Sequence, residues 1–140
     1  MIIARHTLET TALPENIWSL WADVQGYKAW NLGIEWATLN GDFKVGANGQ
    51  LKPREGRLTS FTLTEVAEGR SFSVLAPLPF ARLLMRHSME PTDMGTRLTH
   101  RIEVEGPLAW LWGRVAAPAF RASLPPAMRK LARLAERPDS

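Results

Sequence analysis

The chain has 140 residues, of which 45% are hydrophobic and 22% are charged, and its formal net charge is +3. These values suit one globular domain over residues 1–140, large enough to bury a sizeable core. The sequence contains no cysteine, so disulfide bonds, thiolate metal sites and cysteine nucleophiles are excluded.

The N-terminal third predicts a strand followed by two short helices. Residues 2–10 alternate apolar and polar side chains with the period of a β-strand. The segment ALPENIWSLWADV, residues 12–24, predicts a helix with Pro14 in its first turn. Its apolar residues recur at the spacing of one buried helix face: Ile17, Leu20, Trp21 and Val24. We expect Gly26 to end this helix, and YKAW at 27–30 to form one further turn.

The middle of the chain predicts a series of antiparallel strands. Turn sequences rich in Gly, Asn, Asp and Pro recur between residues 40 and 95. The segments around them predict six strands, at about 34–39, 50–53, 57–67, 70–76, 80–90 and 96–105. With the first strand, the predicted sheet has seven strands.

The C-terminal segment predicts a long helix over residues 107–136. We expect this helix to be broken near Pro118 and at Pro125-Pro126, because proline cannot donate the helical hydrogen bond. Residues 137–140 are predicted to form a disordered tail. Antiparallel strands that bury one face under such a helix form an α+β domain.

Neither a signal peptide nor a membrane span is predicted. The N-terminal MIIARHTLETT has no charged segment followed by a long apolar one, and the apolar run at 107–120 is short and contains Arg114. We therefore expect a soluble, cytoplasmic protein.

Basic residues concentrate in the last third of the chain: Arg114, Arg121, Arg129, Lys130, Arg133 and Arg137. Such a face is typical of a solvated helix, although it could attract acidic lipid or RNA; we expect no nucleic-acid partner.

Four segments resemble a known superfamily: LPENIWSLWADVQGYKAWN, GDFKVGANGQLKP, FTLTEVAEGRSF and GTRLTHRIEVEGPLAWLWG. Together they are similar to the START-like superfamily called SRPBCC, in its branch of polyketide cyclase/dehydrase and lipid-transport-like proteins. The resemblance covers about residues 3–136. It implies a helix-grip (Bet v 1-like) fold, in which a seven-stranded curved antiparallel sheet wraps around the long C-terminal helix and encloses a cavity. Members mostly bind or carry apolar small molecules, and a minority cyclise polyketides, assist chaperones or act on ribosomes. The family has no single catalytic motif, so the resemblance assigns no catalytic residue.

The three histidines are candidate polar groups of this cavity. If TDMG at 92–95 forms a hairpin turn, His87 lies directly opposite His100 on neighbouring strands. His6 lies on the first strand, which neighbours the last strand in the family's sheet order. Three interpretations stay open: neutral structural histidines, a polar anchor for a ligand's hydroxyl, carbonyl or carboxylate, and a zinc site. Neighbouring strands place two such side chains together but guarantee no third ligand, so we predict no metal and no cofactor.

Other catalytic motifs are missing from the sequence. No serine lies in a Gly-x-Ser-x-Gly nucleophile elbow. The segment GANGQL at 46–51 is not followed by the Lys and Ser/Thr of a phosphate-binding loop. Glu103 and Glu105 alternate with apolar residues and are expected to face solvent, which argues against a buried general acid among them.

The predicted cavity lining comes from inward strand faces, from the passage after the two short helices and from one face of the C-terminal helix. The candidate residues are Trp30, Trp36, Phe61, Phe72, Met85, His87, Met89, His100, Ile102, Leu124, Met128 and Leu131. We assign Trp21 to the buried helix face with Trp18 at its edge. Trp36 is predicted to share a strand face with Ile34 and to border the cavity.

The leading functional hypothesis is a binder or carrier of a hydrophobic small molecule such as a lipid, an aromatic compound or a polyketide-like compound. One alternative is a cyclase or dehydratase that uses the cavity histidines to move a proton. A second alternative is a protein- or ribosome-interaction module that uses the basic C-terminal helix. An exposed tryptophan among Trp110 and Trp112 would also permit a homodimer or a membrane contact.

Overall fold

The computed structural model describes residues 1–137, so the predicted tail beyond Arg137 lies outside the described residues. In chain order the elements are β1 Ile2–Thr10, α1 Pro14–Ala22, a 3₁₀ helix Val24–Ala29, β2 Ile34–Leu39, β3 Asn48–Pro53, β4 Thr59–Ala67, β5 Ser71–Leu78, β6 Ala81–Thr92, β7 Gly95–Glu105 and α2 Ala109–Ala135. All seven predicted strands are present, and their ends lie within two residues of the prediction.

The strands form one antiparallel sheet in the order β1-β7-β6-β5-β4-β3-β2. The sheet curls into a half-barrel, and α2 lies against its concave face, in contact with β1, β6 and β7. The predicted α+β helix-grip fold is therefore confirmed. Within the described part of the chain, no helix is both long and apolar enough to cross a membrane.

The predicted histidine register is also confirmed. The β6–β7 turn places His87 directly opposite His100, and β1 places His6 on the other side of His100. Phe72 on β5 pairs with His87 and continues the same row. Directly paired residues of an antiparallel sheet share a face, so these four rings cross the sheet on one side.

The first helix ends earlier than predicted. α1 stops at Ala22, with Asp23 as its C-terminal cap, and Gly26 lies inside the 3₁₀ helix. A Cβ at Gly26 would lie 2.5 Å from the Asp23 Oδ2 atom. Gly26 therefore leaves room for the Asp23 side chain and does not terminate the helix.

The prediction of a broken C-terminal helix is wrong, because α2 runs without interruption through Pro118, Pro125 and Pro126. Each proline removes one helical hydrogen bond and leaves a carbonyl four residues earlier without its donor. Those carbonyls belong to exposed residues: Arg114, Arg121 and Ala122. Water can satisfy them there, so the lost bonds do not leave buried polar groups unpaired.

The apolar core divides into two clusters. The larger one contains Trp21, Phe72 and Leu131, which are fully buried. The smaller one joins Val104 of β7 to Leu124 of α2, together with the start of β1. The cavity described below lies where these two clusters meet, and it is lined by members of both.

Candidate functional site

A cavity of about 110 Å³ lies between the concave face of the sheet, the 3₁₀ helix and α2. Its lining is largely apolar and includes no carboxylate. The lining residues are Tyr27, Trp30, Asn31, Ile34, Leu51, Phe61, Leu63, Val74, Met85, His87, His100, Ile102, Phe120, Ser123, Leu124 and Ala127.

Seven of the twelve predicted lining residues lie in this cavity. They are Trp30, Phe61, Met85, His87, His100, Ile102 and Leu124. Their positions follow from strand alternation on β4, β6 and β7, and from the apolar stripe of α2.

Four other predicted residues lie in solid core beside the cavity rather than in its lining: Phe72, Met89, Met128 and Leu131. Phe72 still acts on the site, because its ring stacks on that of His87 with centroids 4.1 Å apart and planes 2° from parallel. This stacking fixes one face of the His87 ring.

Trp36 does not line the cavity, and the prediction that it shares a strand face with Ile34 is wrong. The β2–β3 register shifts between these two residues, so that Ile34 pairs with Pro53 and Trp36 with Lys52. The extra residue is a β-bulge, which reverses the alternation of side chains. Ala37 is therefore buried, and Trp36 remains 36% exposed.

Nine lining residues were not predicted from the sequence: Tyr27, Asn31, Ile34, Leu51, Leu63, Val74, Phe120, Ser123 and Ala127. Three of them follow a visible signal. Phe120, Ser123 and Ala127 continue the helical stripe of Leu124 with the spacing i, i+3, i+4, i+7. Tyr27 and Asn31 belong to the turn region after α1, where no periodicity indicates which side chains face inward.

The two cavity histidines form the centre of a cluster of rings. The His87 and His100 centroids lie 4.5 Å apart, with the rings edge to face. Trp21 lies 5.9 Å from each of them, and Trp30 lies 6.3 Å from His100. These separations are those of favourable aromatic contacts, so the histidine rings are held by packing on several sides.

Four ring nitrogens of this cluster are buried and have no hydrogen-bond partner among the described residues. They are Nε1 of Trp21, Nε1 of Trp30, Nδ1 of His87 and Nε2 of His100. Most buried polar atoms in folded proteins are hydrogen-bonded, and an unpaired one costs about 1–3 kcal/mol. Each of these nitrogens could therefore hydrogen-bond to water or to another molecule that reaches it, and three of them belong to residues that line the cavity.

Burial keeps both cavity histidines neutral. It lowers the pKa of His87 to about 4, although the Phe72 backbone opposes part of the shift. Burial also lowers the pKa of His100 well below its usual value, and the neighbouring His87 and His6 lower it further. A neutral imidazole offers one donor and one acceptor, so each ring can bind either a hydroxyl or a carbonyl oxygen.

The acidic residues of β7 lie away from the cavity. Glu103 forms ion pairs with Arg86 and Arg101, and Glu105 forms one with Arg82. Burial alone would raise the pKa of Glu103, but the hydrogen bond from Arg86 and the charge of Arg101 lower it overall. The carboxylate is therefore an ion-pair partner and no general acid of the cavity. In the described part of the chain, no three side chains of His, Asp or Glu are arranged to hold a metal ion.

A second, outer depression of about 480 Å³ adjoins the cavity. The two share Trp30, Asn31, Ser123 and Ala127 in their linings, so the outer depression, here called the vestibule, lies directly beside the cavity. The remaining vestibule residues are Leu32, Gly33, Pro126, Arg129, Lys130 and Arg133. An apolar inner chamber with neutral histidines thus lies next to a basic outer one.

Comparisons with known proteins agree with this architecture. A family model described as polyketide cyclase / dehydrase and lipid transport matches residues 1–136. Protein MLL2253 from Mesorhizobium loti is similar in structure, with a TM-score of 0.78, 17% identity and 98% of each chain covered.

Two further similar structures come from biosynthetic systems. One is the di-domain ARO/CYC StfQ from the steffimycin biosynthetic pathway, with a TM-score of 0.79, 10% identity, and coverage of 97% of this chain and 51% of that one. The other is DynU16 from the dynemicin biosynthetic locus, with a TM-score of 0.69, 15% identity, and coverage of 93% and 45%. At such low identity these likenesses show the fold alone.

Comparison with curated proteins gives no match. The family model covers nearly the whole described chain, and the chain therefore belongs to the polyketide cyclase/dehydrase and lipid-transport family of the SRPBCC superfamily.

Proposed function

We propose that the protein binds a small, ring-bearing hydrophobic molecule in the cavity and orients it through His87 and His100. The observation that carries this proposal is the group of unpartnered ring nitrogens beside an apolar cavity. Apolar walls supply the affinity for a hydrophobic ligand, and a few polar groups fix its orientation.

The cavity size limits the part of the ligand that can be enclosed. A volume of about 110 Å³ approaches that of a cavity of about 150 Å³ known to hold benzene. Pockets that enclose a whole drug-sized molecule measure about 300–1,000 Å³. One ring therefore fits the inner chamber, and a larger ligand extends into the vestibule.

The polar contact should involve a hydroxyl or a carbonyl group. A hydroxyl can donate to a neutral imidazole nitrogen and accept from the indole N–H of Trp30. Each such bond would pair a buried atom that has no partner among the described residues. A charged group in the inner chamber is disfavoured, because the cavity is apolar and its lining includes no ionised side chain.

Binding of phenol and toluene tests this proposal, since the two molecules are nearly isosteric and differ in one hydroxyl. We expect both to bind, with Kd values measured by NMR titration. In His87→Phe or His100→Phe, the ratio of phenol affinity to toluene affinity should fall about threefold to tenfold, the usual value of one hydrogen bond. The ratio cancels any general loss of binding caused by the bulkier ring.

His6→Phe is the matched control, because His6 belongs to the same row but lies outside the cavity lining. Its affinity ratio should equal that of the unaltered protein. Failure of both probes to bind would refute the proposal, and an unchanged ratio in both cavity variants would refute the role of the histidines.

A second candidate function is proton transfer next to a bound carbonyl group, as in cyclase or dehydratase chemistry. The unpartnered ring nitrogens of His87 and His100 favour it, since they lie beside the cavity and can take a proton from a bound molecule. The lowered pKa values of both rings make them weak bases, so the expected acceleration is small. The test is hydrogen–deuterium exchange at the carbon next to the carbonyl of phenylacetone in D₂O, followed by NMR. Acceleration that is lost in His87→Phe or His100→Phe and kept in His6→Phe would support an enzyme. No acceleration would leave binding as the only candidate.

A further inference from the structure

The vestibule carries a concentrated positive charge beside the cavity. Arg129, Lys130 and Arg133 lie on two consecutive turns of α2, and all three are exposed. Among the described residues, none of them lies within ion-pair distance of an acidic side chain. By contrast, Arg82, Arg86, Arg97 and Arg101 on the strands all have carboxylate partners.

Neither chamber has an acidic residue in its lining. Charged clefts with walls of one sign concentrate oppositely charged ligands and raise their rate of association. The inner chamber, in contrast, has neutral histidines and apolar walls, which disfavour an ion. The site as a whole therefore has two halves of opposite chemical character.

We propose that the natural ligand is an amphipathic acid, whose ring occupies the inner cavity while its carboxylate lies in the vestibule against Arg129, Lys130 and Arg133. This inference rests on the proposed function and adds the ligand's charge and orientation to it. Asn31 and Ser123 line both chambers and can hydrogen-bond the portion of the ligand between ring and carboxylate.

The vestibule favours a free small-molecule acid over a membrane surface. Its cations line a depression that adjoins the cavity, whereas a membrane surface would be met by cations projecting from a convex face. The two linings share four residues, so an anion in the vestibule and a ring in the cavity lie close enough to belong to one short molecule. Binding to anionic lipid is therefore an outcome to be excluded by experiment.

The test compares hydrocinnamate, a phenyl ring on a short chain with a carboxylate, and hydrocinnamamide, its uncharged isostere. We expect hydrocinnamate to bind about tenfold more tightly at low salt, by calorimetry or NMR titration, because each exposed ion pair contributes a modest gain and several act together. The preference should shrink to about twofold or less between about 0.01 M and about 1 M salt, as the Debye length falls from about 30 Å to about 3 Å. The amide's affinity should change little.

A double variant and a charge-matched control locate the effect. Arg129→Gln/Arg133→Gln should reduce the preference for the acid to about twofold or less, because one of the three cations remains. The affinity for the amide should change much less than the affinity for the acid. Arg5→Gln/Arg114→Gln removes the same charge from exposed positions outside both linings, and should keep most of the preference.

The outcomes separate this inference from the proposed function. If the amide binds and the acid binds no better, the inference is overturned and the proposed function stands. If neither probe binds, both fail. Equal loss of preference in the two double variants would also overturn the inference, and so would binding to phosphatidylglycerol vesicles that hydrocinnamate does not displace.

Discussion

The two ends of the concave face differ although the same sheet and the same helix form both. At one end, Trp21, Phe72, Met128 and Leu131 are fully buried in one apolar cluster and do not line the cavity. At the other end, the same α2 stripe continues through Leu124, but a cavity separates helix from sheet. The close packing at the first end stabilises the fold, so a cavity at the second end can be tolerated.

The boundary between the two regions passes through the histidine row. The His87 ring has the packed side chain of Phe72 on one face, and the ring itself lines the cavity. A polar group at this position costs free energy unless it gains a partner. The packed region thus positions side chains whose unpaired nitrogens lie beside the hollow region.

The largest expected difference is in the cost of deleting a leucine side chain. Leu131→Ala should lower the free energy of unfolding by about 4 kcal/mol, because it opens a new void in close-packed core. Leu124→Ala should cost about 2 kcal/mol, since this side chain already borders empty space. Urea unfolding measures both. Equal costs would contradict the division into packed and hollow regions.

The second expected effect is that the stability of the protein depends on pH through the histidines that line the cavity. The His87 pKa is about 4 in the folded protein and about 6.5 in the unfolded chain, so the unfolded state binds more protons between these values. Stability is therefore full above about pH 6.5 and falls as the pH drops toward about 4, with at most about 3 kcal/mol lost through His87.

Urea unfolding at about pH 7 and about pH 5 checks this window. The decrease in stability should be smaller in His87→Phe and His100→Phe than in the unaltered protein. His6→Phe should change it least, because His6 only adds to the lowering of the His100 pKa. A decrease of equal size in all four proteins would assign the pH dependence to other groups.

The smallest expected difference in stability concerns added volume on α2. Ala135→Leu should destabilise the protein by about 2 kcal/mol, because Ala135 is fully buried in the packed region. Ala127→Leu should change stability by less than about 1 kcal/mol, because its side chain can extend into the cavity. The same variant should lose phenol binding. Phenol binding retained in a folded Ala127→Leu protein would place the ligand elsewhere.

The order of strands and helices along the chain and the pairing of His87 with His100 could both be predicted from the sequence. One hairpin turn fixes the register of β6 and β7, so His87 and His100 could be paired by counting residues from the turn. Pro118 and Pro125 were misleading because their effect depends on whether the freed carbonyls reach water. That exposure is set by how α2 lies on the sheet.

The cavity lining was harder to predict, for two physical reasons. The β2 bulge turns Trp36 outward, and a bulge depends on pairing with β3 rather than on the local sequence. The positions of Leu124 and Leu131 on α2 are alike in their periodicity, yet only Leu124 borders the cavity. Periodicity identifies the buried face of a helix, whereas the gap beneath that face depends on the curvature of the whole sheet.

The most direct test of the account is NMR of the methionine methyl groups during a phenol titration. Met85 lines the cavity, whereas Met89 and Met128 lie in the packed region and Met94 is exposed. If phenol binds in this cavity, its ring should shift the Met85 methyl signal strongly and leave the signals of Met89, Met128 and Met94 near their original positions. An unshifted Met85 signal at saturating phenol, or equal shifts of all four, would contradict the central claim that this cavity is the binding site.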